Sequence, residues 1–147
     1  MQKKDGCDII ISMENFTYKS YTALDLINVP VSTLAWVGDA YFSLCAREWE
    51  LQFCVAKPVK LNKKAVSKVN AHAQAEFLEL VSQNLSEDEL NVVRRAKNSP
   101  ITTRSKHYSL AEYKRATAFE ALIGWLYLLG REQRLNELLK IIFGDKK

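Results

Sequence analysis

Two acidic residues stand alone in apolar segments of this chain. Asp39 is the one charged residue of residues 34–46, and Glu120 is the one charged residue of residues 116–129. Both segments are apolar on nearly every face of a helix, which is typical of buried helices. Burying an ionised carboxylate is costly unless its charge is compensated. Because a divalent cation is one such compensator, Asp39 and Glu120 are candidate metal ligands.

A glycine accompanies each acid. Gly38 adjoins the first acid, and Gly124 lies one helical turn beyond the second. Glycine inside a helix costs about 1 kcal/mol relative to alanine and is tolerated where another backbone must come close. We therefore expect the two helices to cross tightly and bring the carboxylates together. The alternative is ordinary core packing, in which each acid pairs with Arg47, Arg115 or a buried hydroxyl.

Positive charge is concentrated in two segments, although the net charge is only +4. Residues 57–72 contain five lysines and no acid, and residues 91–115 contain seven lysines and arginines with Glu112 as their one acid. This segregation favours a polyanionic partner such as nucleic acid over a set of merely solvated helix faces. The candidate contacts are Lys63, Lys64, Lys68, His72, Arg94, Arg95, Lys97, Arg104, Lys106 and His107.

Composition indicates one all-α domain. The chain has 147 residues with only five Gly and three Pro, and no apolar run reaches the length of roughly 18 residues that a membrane helix needs. Residues 1–19 are interpreted as an N-terminal extension, with Met13 as an alternative start, and residues 20–147 as the domain. The three cysteines are odd in number and lack metal-site spacing, which favours reduced thiols in the cytoplasm.

Helical periodicity and capping residues divide the domain into elements. We expect helices at about 31–51, 61–83, 86–98, 109–129 and 131–143, separated by a connector at 52–59 and a basic loop at 99–108. Ser86 and Glu89 have the spacing of a capping box, and Ser109 with Glu112 repeats it. Gly130 is placed to end the fourth of these helices. No β-strand is needed to account for the pattern.

Residues 34–41, Leu-Ala-Trp-Val-Gly-Asp-Ala-Tyr, resemble the signature helix of the ribonuclease III catalytic domain. Residues 118–127, Ala-Phe-Glu-Ala-Leu-Ile-Gly-Trp-Leu-Tyr, resemble the second catalytic helix of that family. The two motifs occur in the family's order, and we expect no double-stranded-RNA-binding domain, because too few residues follow the second motif. The chain is thus similar to the short bacterial branch of the family. Residues 70–75 and 114–117 also resemble that branch.

The resemblance implies a Mg²⁺-dependent endoribonuclease that cleaves double-stranded RNA and leaves 5′-phosphate products. Asp39 and Glu120 would be the catalytic metal ligands, and Mn²⁺ can substitute for Mg²⁺. The larger enzymes carry further acids where this chain has Ser32, Ala35 and Thr117, which implies more water in the metal shell. The segment 94–98 is also shortened relative to the branch.

The resemblance further implies a cytoplasmic homodimer that matures large-subunit (23S) ribosomal RNA precursors, with a ribosomal protein as an eventual helper and no membrane association. Seven aromatic residues exceed the needs of one small core, and a dimer interface could cover some of them: Trp36, Tyr41, Phe42, Trp49, Phe53, Trp125 and Tyr127. Two alternatives remain. One is a non-catalytic double-stranded-RNA-binding module that has lost carboxylates, and the other is a structural helical interaction protein.

Overall fold

Seven α-helices make up the domain in the computed structural model, which describes residues 9–13, 16–101 and 106–144. The prediction of an all-α domain is confirmed. A single 3₁₀ turn, Ser82–Asn84, follows the fourth helix. The helices are α1 (Ala23–Leu26), α2 (Val31–Phe53), α3 (Pro58–Val69), α4 (Ala71–Val81), α5 (Glu87–Lys97), α6 (Leu110–Leu128) and α7 (Glu132–Phe143).

A short antiparallel hairpin precedes the helices. Strand β1 (Ile9–Met13) pairs with β2 (Phe16–Lys19), with Met13 opposite Phe16. No strand was predicted in this extension. Residues 9–11 are three consecutive isoleucines, and β-branched residues favour strands, so the sequence did carry a local signal for β1.

Helix α6 is the centre of the domain. It packs against α2, α4, α5 and α7, and its residues from 121 to 126 are all buried. A helix that is apolar on all sides is stable only when other helices surround it. Phe119 of α6 meets Phe42 of α2 edge-on, with 4.9 Å between ring centres. Gly130 ends the helix region with φ at 71°, as its position in the sequence predicts.

The predicted helix over 61–83 is wrong in one respect, because Asn70 divides it into α3 and α4. The Asn70 side chain accepts a hydrogen bond from the backbone N–H of Ala73 at 2.9 Å and so caps the start of α4. Its amide also donates to the carbonyl of Ser67 at the end of α3, at 3.2 Å. Asparagine is a preferred N-cap, and here this local preference overrides the continuous apolar periodicity.

The capping box predicted at the start of α5 is confirmed. Glu89 accepts a hydrogen bond from the backbone N–H of Ser86 at 2.9 Å, and the Ser86 hydroxyl accepts one from the N–H of Glu89 at 3.3 Å. Ser109 caps α6 by accepting from the N–H of Glu112 at 3.1 Å. Among the described residues, no helix is long and apolar enough to span a membrane.

Candidate active site

The backbones of α2 and α6 touch at two glycines. A Cβ atom added to Gly38 would lie 1.8 Å from the carbonyl oxygen of Glu120, and one added to Gly124 would lie 1.9 Å from the carbonyl oxygen of Leu34. No larger residue fits either position without separating the helices. The predicted tight crossing is therefore confirmed, and it places Glu120 beside the turn of α2 that carries Asp39.

The two carboxylates differ in burial. Glu120 is half-buried, whereas Asp39 is exposed, so the prediction of a buried Asp39 is wrong. The apolar residues near Asp39 do not all face the core. Trp36 is 75% exposed and Ala40 is also exposed, and these two residues made an open face of α2 look like an interior one.

Glu120 carries a perturbed carboxyl group. Burial raises its pKa to about 8, the negative charge of Asp39 adds to this effect, and an interaction with the Gln74 side chain opposes it. The first two effects both disfavour the ionised form. The two carboxylates are thus close enough to repel each other, and the pair is short of positive charge.

In the described part of the chain, no arginine, lysine or histidine forms an ion pair with either carboxylate. Arg115 instead lies 3.9 Å from Glu79, and Arg47 is exposed on α2. The alternative in which each acid is neutralised by its own arginine therefore finds no support among these residues.

A divalent cation fits this pair of side chains. The donors are hard oxygen atoms, their mutual repulsion would be relieved by positive charge, and Asp39 is open to solvent. Residues 16–101 and 106–144 contain no group of three or more His, Cys, Asp or Glu side chains arranged to hold a metal. A cation bound here would complete its coordination shell with water or substrate oxygen, as Mg²⁺ commonly does.

The acids that are deeply buried lie elsewhere and have cationic partners. Glu50 of α2 pairs with Lys68 of α3. Glu89 of α5 accepts from Arg134 of α7 at 2.8 Å. Both acids are buried, which shows how this fold compensates structural carboxylates. The Asp39–Glu120 pair has no such compensation in the described structure.

The structure separates the predicted RNA contacts on α3 and α4 into two groups. Lys63 and Lys64 are exposed on α3 and available to a ligand. Lys68 is half-buried in its pair with Glu50. His72 bonds to Glu112 of α6 and lies 3.1 Å from Glu76, and the hydrogen bond to Glu112 is the main cause of its raised pKa. Lys68 and His72 thus have structural partners that the sequence did not reveal.

The predicted contacts on α5 are similarly divided. Arg95 donates to the carbonyl oxygens of Ile27 and Val29, both at 3.2 Å, and so holds the segment that precedes α2. Arg94 is exposed and donates to Asn91 at 2.8 Å on the same helix. Of the remaining candidates, Lys97 is half-buried, Lys106 and His107 are exposed, and Arg104 lies outside the described residues.

Sequence reasoning missed Gln74 as a member of this site. It lies on α4, is 1% exposed and interacts with the Glu120 carboxylate. The signal available was a polar side chain between two alanines on the buried face of a helix. Such a residue usually needs a specific partner, but the sequence alone does not say which.

Comparison with known proteins gives a consistent result. Residues 32–131 match the Ribonuclease III domain family. The chain is 43% identical over 110 residues to a Mini-ribonuclease 3 of Brevibacillus brevis, covering 75% of this chain and 82% of the relative. It is 34% identical over 131 residues to a Mini-ribonuclease 3 of Clostridium tetani, covering 86% and 85%.

A solved structure agrees with these sequence matches. The crystal structure of a protein from Fusobacterium nucleatum superposes with a TM-score of 0.73 at 36% sequence identity. The match covers 80% of this chain and 96% of that one. The helical arrangement of this chain therefore matches nearly the whole length of an experimentally determined relative.

Proposed function

The chain belongs to the ribonuclease III family, in its Mini-ribonuclease III branch, and is an endoribonuclease; on this premise we propose that it hydrolyses double-stranded RNA with Mg²⁺ held by Asp39 and Glu120. The observation that carries the proposal is the uncompensated carboxylate pair at the crossing of α2 and α6. Bound there, Mg²⁺ would polarise a phosphate oxygen and make a bound water more acidic.

The residues of this chain contribute position and charge. The two glycines fix the distance between the helices, and this fixes where the two carboxylates can meet a cation. Asp39 is exposed, so a cation that it holds would be accessible to a phosphodiester from solution. Glu120 is half-buried and is anchored on the central helix. Preorganised ligands of this kind lower the cost of assembling the site at the moment of reaction.

We assign duplex binding chiefly to exposed cations. Lys63 and Lys64 on α3, Arg94 on α5 and Lys106 in the loop that precedes α6 have the exposure that phosphate contacts require. A-form RNA is recognised mainly through its shape, phosphates and 2′-hydroxyl groups, so point charges on helix surfaces suit it. Lys68, His72, Arg95, Lys97, Arg104 and His107 remain candidates in a secondary role.

A homodimer is part of this proposal, because one catalytic centre cuts one strand. Trp36, Leu44 and Leu51 are exposed large apolar residues on α2, spaced eight and seven residues apart and hence on one helical face. Together these three residues form the α2 apolar stripe. A second copy of the chain that packs through the same stripe would form a two-fold symmetric interface and shield the stripe from water.

The biological substrate proposed is a precursor of large-subunit (23S) ribosomal RNA, processed in the cytoplasm. A ribosomal protein is proposed to assist this processing. These assignments come from resemblance to the branch. The competing function is a double-stranded-RNA-binding module without catalysis. The reduced set of acids favours that alternative, whereas the perturbed Glu120 beside Asp39 favours an enzyme.

One gel assay separates these functions. The purified chain is incubated with duplex RNA with and without Mg²⁺, beside a Glu120→Gln variant that keeps the side-chain shape but lacks the charge. We expect Mg²⁺-dependent cleavage by the wild type. The variant should still bind RNA but should cleave it at least about a hundredfold more slowly, which is the usual effect of removing one catalytic group. Binding without cleavage by the wild type would support the non-catalytic module, and wild-type rates in the variant would refute the role of Glu120.

A further inference from the structure

Gln74 is a buried polar side chain whose amide is not fully used by the fold. It is 1% exposed, on the face of α4 that packs against α6. In the described part of the chain its Nε2 atom is buried without a hydrogen-bond partner of good geometry. Buried amides are nearly always paired, so one that is left unpaired usually has a reason beyond packing.

The neighbour of this amide is the Glu120 carboxylate. The Gln74 side chain interacts with it and favours its ionised form, although the contact falls short of a well-aligned hydrogen bond. A carboxylate has two oxygen atoms, and a donor that engages one of them restricts rotation of the group and leaves the other oxygen for a cation.

We propose that Gln74 is a positioning residue for the active centre, whose buried amide holds the Glu120 carboxylate in the orientation in which it binds the cation. This inference rests on the proposed function. Glutamine suits the role because it donates a hydrogen bond without bringing positive charge. Lysine or arginine at this position would neutralise Glu120 and compete with the cation for it.

A purely structural role makes a different prediction for the same side chain. If the amide stabilised the fold, its removal would lower the melting temperature. If the amide instead serves to position Glu120 through a contact that is poor as a hydrogen bond, its replacement by an apolar side chain of similar size leaves the melting temperature unchanged or raises it, because a poorly paired buried polar atom is lost. Stability and function should therefore change independently.

The test compares the wild type with Gln74→Met, which is similar in volume but has no donor, and with Gln133→Met, which alters an exposed glutamine on α7. Mn²⁺ affinity is measured without RNA by electron paramagnetic resonance, and kcat and KM are measured on duplex RNA. For Gln74→Met we expect about tenfold weaker Mn²⁺ binding, as is usual when a partner of a metal ligand is removed. We also expect a lower kcat, an unchanged KM and an unchanged or higher melting temperature. Gln133→Met should match the wild type throughout.

Two results would overturn the inference. One is wild-type Mn²⁺ affinity and kcat in Gln74→Met. The other is a lower melting temperature or loss of folding in that variant, which would assign the amide to the fold. Failure of the proposed function is distinguishable from both, because then the wild type itself neither binds Mn²⁺ nor cleaves duplex RNA, and the inference falls with it.

Discussion

Glu120 has its pKa raised to about 8 by burial and by the charge of Asp39, which makes its proton part of any equilibrium with a cation. A metal ion must displace that proton in order to bind. Below pH 8 the carboxyl group is mostly protonated in the metal-free protein, so metal affinity should fall as the pH falls. The same residue that gives the site its charge thus makes the site sensitive to pH near neutrality.

We therefore expect apparent Mn²⁺ affinity to weaken by about tenfold for each pH unit below 8 and to level off above it, since one proton is released on binding. The measurement is a Mn²⁺ titration by electron paramagnetic resonance between pH 6 and pH 9. Glu120→Gln is the control and should bind weakly with a much flatter pH profile. An affinity that is constant from pH 6 to pH 8 in the wild type would contradict this assignment.

At the scale of elements, the crossing of α2 and α6 determines the site because two backbones must touch. A Cβ at position 38 would overlap the carbonyl oxygen of Glu120, at 1.8 Å.

Gly38→Ala should lower the free energy of unfolding by about 1–3 kcal/mol, the usual cost of overpacking, and should reduce cleavage by moving Glu120 away from Asp39. Chemical denaturation and a cleavage assay measure both effects. Ala40→Ser, exposed on the same helix, should remain within about 0.5 kcal/mol of wild type; a stable, active Gly38→Ala protein would show that the crossing is not needed.

A second contact between elements, Glu89 of α5 with Arg134 of α7, tests how the fold compensates a structural acid. Burial alone would raise the pKa of Glu89, but Arg134 and Ser86 hold it below its ordinary value of 4.5. The interaction therefore stabilises the fold above about pH 4.5 and is lost as the pH falls through the lowered pKa.

Arg134→Met should accordingly lower the free energy of unfolding by about 2 kcal/mol at pH 7, because Glu89 is left buried without its charged donor. The deficit should shrink as the pH falls through the lowered pKa of Glu89, because its carboxyl group then becomes protonated in both proteins. Urea denaturation at a series of pH values from 7 downward measures this. Glu137→Gln, which removes the exposed partner of Arg134, should cost less than about 1 kcal/mol. A deficit that stays constant as the pH falls would argue against the charge of Glu89 as the cause.

At the scale of the whole molecule, the α2 apolar stripe predicts self-association. Trp36→Glu places a charge within the proposed interface and should convert a dimer into a monomer. Light scattering coupled to gel filtration measures the mass. Val59→Glu is the matched control, because Val59 is equally exposed, at 75%, but lies on α3 outside the stripe. A wild type that stays monomeric at working concentration, or a Trp36→Glu protein that stays dimeric, would exclude this interface.

The sequence alone determined those features that depend on chain neighbours or on a strong constraint at one position. The capping box of Ser86 and Glu89 and the glycines of the helix crossing were readable because capping acts within one turn and because a helical glycine implies a close backbone. Local chemistry also misled where two local signals competed. The apolar periodicity of residues 61–83 predicted one helix, and the N-cap preference of Asn70 prevailed.

Only the tertiary structure decided which charges were free. Lys68 contacts Glu50, 18 residues away in the chain, and His72 contacts Glu112, 40 residues away. At these sequence separations no periodicity indicates a partner. The exposure of Asp39 likewise depends on which face of α2 the other helices cover. Composition and spacing specify what a residue can do, whereas its charge state and its availability to a ligand depend on neighbours that folding brings to it from distant parts of the chain.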